Sequence, residues 1–206
     1  MRAASPLITA AQLQRFALRC DFMALAPALD AACRRFDITT PSRLRHFMGQ
    51  VHHESMGLTR LEEALSYSAD RLCEVWPARF PNAASAAPFA RNPRALANKV
   101  YGGRMGNVGP DDGWRYRGRG LLMTTGRQNY VEAGELIGLD LIAQPELLGQ
   151  ARAAALAAAA FWTLNGCNAL ADRDELELVT RRINGGLNGL ADRRVQTQRA
   201  GLIWRE

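Results

Sequence analysis

Apolar residues recur along most of the chain at the three- and four-residue spacing of amphipathic helices rather than the alternation of strands. "ITAAQLQRFAL" reads as a short helix with Thr9 as its N-cap, and "APALDAACRRFDI" as a second. A third begins in "TPSRLRHFMGQVHHES", where Thr40 caps and Pro41 takes the first helical position, at which a missing N–H costs nothing. Its Leu44, Phe47, Val51 and Glu54 or Ser55 share one stripe, so a carboxylate joins the inward face, and Gly57 marks the stop. "SYSADRLCEVWP" predicts a helix capped by Ser68, and "RNPRALANKVYG" one opened by Asn92 and Pro93. Residues 102–120, "GGRMGNVGPDDGWRYRGRG", are glycine-rich and broken by Pro110, which predicts loops or a small hairpin. "TTGRQNYVEAGELIG" then starts a helix, with Thr125 and Gln128 at capping-box spacing. Three more helices are expected over about 145–164, 174–183 and 191–204, the last two parted by "INGGLNG". No strand–helix alternation supports a parallel sheet, so the expected class is mainly α with one irregular excursion.

Composition narrows the setting. The 206 residues suit one domain able to bury a real core, and 48% hydrophobic with 22% charged residues are globular values. The longest apolar run, "AAALAAAAFWTL", falls short of the roughly 18 to 20 residues a membrane span needs. It reads as a buried core helix, and no stable membrane insertion is expected. "MRAASPLITAAQLQRF" lacks the sustained apolar segment of a secretory signal. Cys20, Cys33, Cys73 and Cys167 lie far apart with no C-x-x-C, which predicts free thiols in a reducing compartment. A net charge of +6, carried by arginine with Lys99 the only lysine, favours anionic surroundings such as nucleic acid, a membrane surface or an acidic cell wall. Genomic base composition alone also produces Arg- and Ala-rich chains.

"HHES" invites comparison with the zinc motif H-E-x-x-H, but the position four after His53 is Gly57. His52 and His53 are neighbours on different helix faces, and His46 is the only other histidine, so no zinc site is expected, and an acid–base hydrolysis would need neither a metal nor an organic cofactor. There is no G-x-S-x-G and no cysteine in a catalytic context. "RYRGRG" beside Trp114 is a single copy followed by the apolar "LLM", too little to predict a nucleic-acid partner. Paired carboxylates remain. Glu54 lies at the negative end of a helix dipole beside Phe47, Val51 and Met56, and both surroundings favour the protonated acid that donation to a glycosidic oxygen requires. Glu63, nine residues on across Gly57, can stand on the opposite wall and activate water. By spacing alone, such a pair is more often two solvated surface charges.

From about Arg43 to Trp204 the chain resembles family 19 glycoside hydrolases, the chitinase-like group, and among them most of all the phage and prophage endolysins. The resemblance is carried, in order, by "HHES", "LEEALSYSADRL", "VYGGRMGN", "DGWRYRGRGLLMTTGRQNY", "GLDLIAQPELL", "AAFWTLNGCNALAD" and "RRINGGLNGLADR". It implies a lysozyme-like helical fold of two lobes around a glycan cleft. Residues 1–206 would form one catalytic domain, with about 58–115 as the smaller lobe and no separate wall-binding domain. It further implies hydrolysis of a β-1,4 linkage with inversion. By position, Glu54 matches the general acid, Glu63 the second carboxylate with Glu62 as the alternative, and Thr125 a serine that helps hold the water. Asn129 and Asn184 match polar groups of the cleft, and Tyr67, Trp114 and Tyr130 complete the candidate substrate contacts; Tyr130 also has a core reading and Trp114 a packing one. Met123 stands where the family often has glutamine, which removes a donor and an acceptor from a sugar subsite. The function so implied is an endolysin acting on the peptidoglycan glycan strand. A chitinase, and a non-catalytic protein that binds cell wall or nucleic acid, are the alternatives. A monomer is expected, stored in the cytoplasm until a holin-type pore releases it to the periplasm and wall.

Overall fold

The computed structural model describes residues 5–205. The first four residues of the stretch lacking a secretory pattern, and Glu206, lie outside them. The described residues form twelve α-helices: α1 (Ala10–Phe16), α2 (Phe22–Arg35), α3 (Pro41–Glu54), α4 (Ala69–Val75), α5 (Ala83–Ala86), α6 (Pro93–Tyr101), α7 (Asp112–Arg115), α8 (Arg127–Ile137), α9 (Ala151–Leu164), α10 (Cys167–Asp172), α11 (Leu176–Asn184) and α12 (Leu190–Ile203). Short 3-10 turns cover Ala87–Phe89 and Pro145–Gly149. Extended pairing among the described residues is limited to isolated antiparallel bridges joining Glu62 to Arg119 and Arg119 to Thr124. None of the described helices is long and apolar enough to cross a membrane.

Helix starts follow local side-chain chemistry. Thr9 accepts from the Gln12 amide at 3.2 Å while the Gln12 side chain accepts from the Thr9 N–H at 2.9 Å, a complete capping box. Thr40, Ser68 and Asn92 each accept from the backbone N–H three residues on, at 3.2, 3.2 and 3.3 Å. Other boundaries depart from the pattern. α2 begins at Phe22, not at Ala26, because the Asp21 side chain caps Ala24 at 3.1 Å, and Pro27 is accommodated inside the helix. The expected 145–164 helix is parted at Gln150, whose extended backbone separates the 3-10 turn from α9. In the glycine-rich region there is no hairpin; Asp112–Arg115 form α7, whose buried Gly113 lies where a Cβ would stand 2.8 Å from Asn98 Cα of α6.

The larger of two hydrophobic clusters is built on α9. Its Ala153 to Ala160 are all buried, and alanine's small side chain lets α2 and α8 pack closely on this helix. Phe47 of α3 meets Trp162 edge to face at 5.5 Å, and α12 lies along α3. The approach of α3 and α12 depends on Gly49, where a Cβ would stand 2.9 Å from the backbone nitrogen of Thr197. Gly49→Ala is therefore expected to force the two helices apart and lower stability by about 1–3 kcal/mol, an overpacking cost measurable by urea denaturation. An unchanged midpoint would show that the helices have slack there.

The smaller cluster is separate. Leu65, Leu72, Phe80, Ala86, Leu96, Ala97 and Val100 are its buried centre, drawn from α4 to α6 and the segment ahead of them. Tyr67, Trp76, Phe80 and Phe89 form a chain of rings with centroids 5.4 to 6.5 Å apart, edge-on as far as Phe80 and tilted between Phe80 and Phe89.

Candidate active site

Glu54 is the last residue of α3. Its position is fixed by the next residue, Ser55, which is buried, donates to the Val51 carbonyl at 2.6 Å and accepts from the Leu58 amide at 3.1 Å. The Glu54 carboxylate accepts a charge-assisted hydrogen bond from Nη2 of Arg193 on α12. Side-chain exposure is 2% for Arg193 and 21% for Glu54, so the cation is buried and the carboxylate faces partly outward. Arg193 also donates through Nη1 to Gln50 Oε1 and through Nε to the Asn188 carbonyl at 3.2 Å. Gln50 in turn donates to Thr180 Oγ1 at 3.2 Å, and Thr180 to the Leu176 carbonyl at 2.8 Å. One buried polar chain thus ties α3, α11 and α12 together behind Glu54. The adjacent histidines diverge: His52 packs edge-on against Phe16 at 5.0 Å, while His53 pairs with Asp192 at 2.6 Å. Gly189, with φ +72°, lies against the His53 ring and leaves no room for a side chain.

Glu63 sits on the segment between the two clusters. Its Oε2 accepts from the Tyr101 hydroxyl at 2.7 Å and its Oε1 from the Gly118 N–H at 2.6 Å. Burial, and then the Glu63 charge and hydrogen bond, push the Tyr101 phenol upward, so it remains a donor. Gly118 places Thr125 beside the carboxylate. A Cβ on that glycine would be 3.1 Å from Thr125 Oγ1 and 3.3 Å from Glu63 Cδ. The two oxygen-bearing groups therefore border one small space. Among the described residues Glu54 and Glu63 share no hydrogen-bonding partner; each is held from its own side.

Glu62 has a different environment. Arg117 reaches its Oε1 through both Nε and Nη2, and Arg119 Nε reaches Oε2 at 3.0 Å. Burial pushes the Glu62 carboxyl up, but the hydrogen bonds and charges of the two arginines outweigh it and hold it below the ordinary value. A carboxylate filled with arginine donors is poorly suited to taking a proton from water. Glu62→Gln is expected to cost no more than about 1 kcal/mol, since the acid is exposed at one side, and to retain most turnover. Glu63→Gln should lower turnover strongly with little change in substrate binding. Parallel kinetics on the two variants decide the assignment, and the reverse ranking would move the role to Glu62.

The remaining candidates divide. Thr125 and Asn129 line a groove of about 370 Å³ together with Met123, and Asn129 donates to the Thr125 carbonyl at 2.7 Å. Asn184 is exposed on the last turn of α11, next to the groove residue Ile183. Tyr67 is half-buried, edge-on to Trp76 and near Tyr101. Trp114 is half-buried, and the Arg117 guanidinium covers its ring 3.6 Å from the centroid, the packing alternative to a sugar platform. Tyr130 is a correction: it is 0% exposed, its hydroxyl donates to the Arg117 carbonyl at 2.6 Å and accepts from Arg119, and it belongs to the core. The capping box of Thr125 and Gln128 is another. α8 begins after Gly126, the Thr125 hydroxyl donates to the Met123 carbonyl, and the first helical N–H, that of Arg127, is capped by Asn107 Oδ1 at 2.8 Å. A larger hollow of about 740 Å³ opens around His46 and Asp174 and contains none of the candidate residues.

Arg193, Tyr101 and Asn107 are the residues that the sequence did not single out. For Arg193 a signal existed. Arg193, Gln196, Thr197 and Ala200 recur at helical spacing and are the buried face of α12, a polar stripe where an apolar one is usual.

No family model matches the chain. A glycosyl hydrolase family 19 domain-containing protein of Haemophilus influenzae (strain ATCC 51907 / DSM 11121 / KW20 / Rd) is 39% identical over 160 residues, 76% of this chain and 77% of the relative. Among solved structures, chitinase C from Streptomyces griseus HUT6037 is similar with a TM-score of 0.65 and 18% identity, over 99% of this chain and 95% of that one. A class IV chitinase of family 19 from Zea mays gives a TM-score of 0.63 at 18% identity, over 97% and 93% of the two chains. The structural matches establish the mainly α, lysozyme-like fold. Taken with the 39% identity to a family 19 protein over three quarters of both sequences, they lead to one conclusion: the chain belongs to glycoside hydrolase family 19.

Proposed function

We propose that this protein is an endolysin that hydrolyses β-1,4 bonds of the peptidoglycan glycan strand by a single inverting displacement. The observation that carries the mechanism is the setting of Glu63, which is held by two neutral donors with the Thr125 hydroxyl at its side. The acid role of Glu54 comes from the family match, and its Arg193 partner favours the carboxylate that remains once the proton has been given. In this reading protonated Glu54 gives its proton to the glycosidic oxygen as the bond to the anomeric carbon breaks, and Arg193 faces the negative charge left behind. Glu63, held as an acceptor, takes a proton from a water aligned by Thr125. That water's oxygen forms the new bond to the anomeric carbon from the opposite face. The two protons are then exchanged with solvent to restore the starting forms. A single displacement of this kind requires carboxyl groups about 6.5–9.5 Å apart, leaving room for the water.

Support for peptidoglycan comes from the net charge of +6, which favours an anionic wall polymer. Proton NMR of the first product released from purified glycan strands tests both bond and mechanism. The α-anomer is expected before mutarotation. Early β-anomer would point to a covalent or substrate-assisted route, and a 1,6-anhydro end would make the protein a lytic transglycosylase in which no water attacks. Turnover of chitin oligosaccharides without turnover of peptidoglycan would make it a chitinase.

A further inference from the structure

The groove that begins at Thr125, the residue beside Glu63, and at Asn129 changes character along its length. Met105, Met123, Leu136, Phe161, Leu164 and Ile183 form its walls. Leu136 and Phe161 are 37% and 38% exposed and Leu164 is 65% exposed, so these apolar groups are gathered in one continuous patch rather than scattered singly. Between them stand acceptor oxygens. Glu132 accepts from Gln128 through one oxygen only, and the Asn129 and Asn165 amides donate to the Thr125 and Phe161 carbonyls, which leaves their own carbonyl oxygens for a ligand. About 370 Å³ lies within the usual range for a small-molecule-sized group, roughly 300–1,000 Å³.

A bare polysaccharide matches this lining poorly. Pyranose edges present many hydroxyls, which need donors and acceptors together, whereas here the walls are mostly methyl, thioether and phenyl groups. Of the polar side chains set between them, Thr125, Asn129 and Asn165 already donate to protein carbonyls and Glu132 carries only acceptors. A branch made of methyl groups and amide N–H groups matches it well. The strand of the proposed substrate carries such a branch on alternate sugars: a lactyl ether, amide-linked to alanine and the rest of a short peptide. We infer that the groove lined by Leu136, Phe161 and Leu164 receives this lactyl-peptide branch and makes the enzyme prefer glycan strands that carry stems. The inference rests on the hydrolase reading above and names the part of the substrate that the site selects. Its continuity with Thr125 and Asn129 sets the branch beside the bond to be cut. The acceptor oxygens meet its amide hydrogens.

Two measurements separate this inference from the reading on which it rests. The first compares kcat/KM on strands with intact stems and on the same strands after amidase removal of the peptides, for wild type and for Phe161→Ser/Leu164→Ser. Leu164 is 65% and Phe161 38% exposed, and a thermal melt of each variant checks that the fold is kept; Leu136→Gln, on α8, provides an independent variant. The ratio of stem-bearing to stem-free kcat/KM should fall about tenfold in each variant, through KM, as suits loss of a partly buried apolar contact. A wild-type ratio near one, or a ratio unmoved by the variants, overturns the inference. The second measurement titrates N-acetylmuramyl-L-alanyl-D-isoglutamine into the full chain and follows methyl resonances. Shifts at Leu136, Leu164 and Ile183 are expected, and shifts confined elsewhere overturn the inference. Wild type that binds this dipeptide in the groove but cleaves no strand at all would sink the hydrolase reading and leave the binding site standing.

Discussion

Replacing Glu54 by glutamine is expected to lower turnover about 100- to 10,000-fold, the range that a positioned general acid supplies. The amide has the shape of the acid and no proton to give. The structure adds a second effect. Arg193, whose side chain is 2% exposed, loses its facing carboxylate and keeps only neutral acceptors. Glutamine oxygen still accepts the hydrogen bond, and water reaches the partly exposed position. The loss should therefore be about 1–3 kcal/mol, below that of a fully buried broken pair. Turnover per folded molecule and a thermal melt distinguish the two effects. Activity above about a tenth of wild type would remove Glu54 from the acid role.

The largest stability change should come from the other partner. Arg193→Met removes three donor contacts at once, leaving Gln50 Oε1 buried without its partner and Glu54 without a counter-ion. A loss of about 3–5 kcal/mol is expected in urea denaturation. Arg193→Lys keeps the charge but cannot reproduce a planar fork reaching Gln50, Glu54 and the Asn188 carbonyl together. It should recover part of the stability while kcat stays depressed and KM changes little, because what is lost is the placement of Glu54. Wild-type kcat in the lysine variant would mean that charge alone is enough there and that the fork positions nothing.

Features encoded within three or four residues were legible in the sequence. The caps at Thr9, Thr40, Ser68 and Asn92 each depend on a hydrogen bond of that span, while on the α3 stripe the buried member proves to be Ser55 and Glu54 faces partly outward. The alanine run was readable as core because nothing in it interrupts an apolar face. What stayed hidden depends on residues far apart in the chain. Arg193 meets Glu54 across 139 positions, and Tyr101 meets Glu63 across 38. The start of α8 was misplaced because its first free N–H is satisfied by Asn107 from 20 residues away rather than by a local hydroxyl. Tyr130 keeps both a core and a cleft reading in the sequence for a similar reason. A tyrosine one residue past a polar cleft position has the same spacing whether its ring turns outward or, as here, beneath Arg119.

Asn107 also has a mechanical consequence. Its buried side chain donates to the Tyr101 carbonyl at 2.9 Å and accepts from the Arg127 amide at 2.8 Å, pinning the end of α6 to the beginning of α8. Tyr101 grips Glu63, and Thr125 lies two residues ahead of Arg127. These groups therefore travel as one rigid jaw. The jaw is itself seated on the larger core, because α8 packs on α9 and α9 receives Phe47 of α3, so one continuous body sets the gap between the two carboxylates and Asn107 is the rivet that carries it into the smaller cluster.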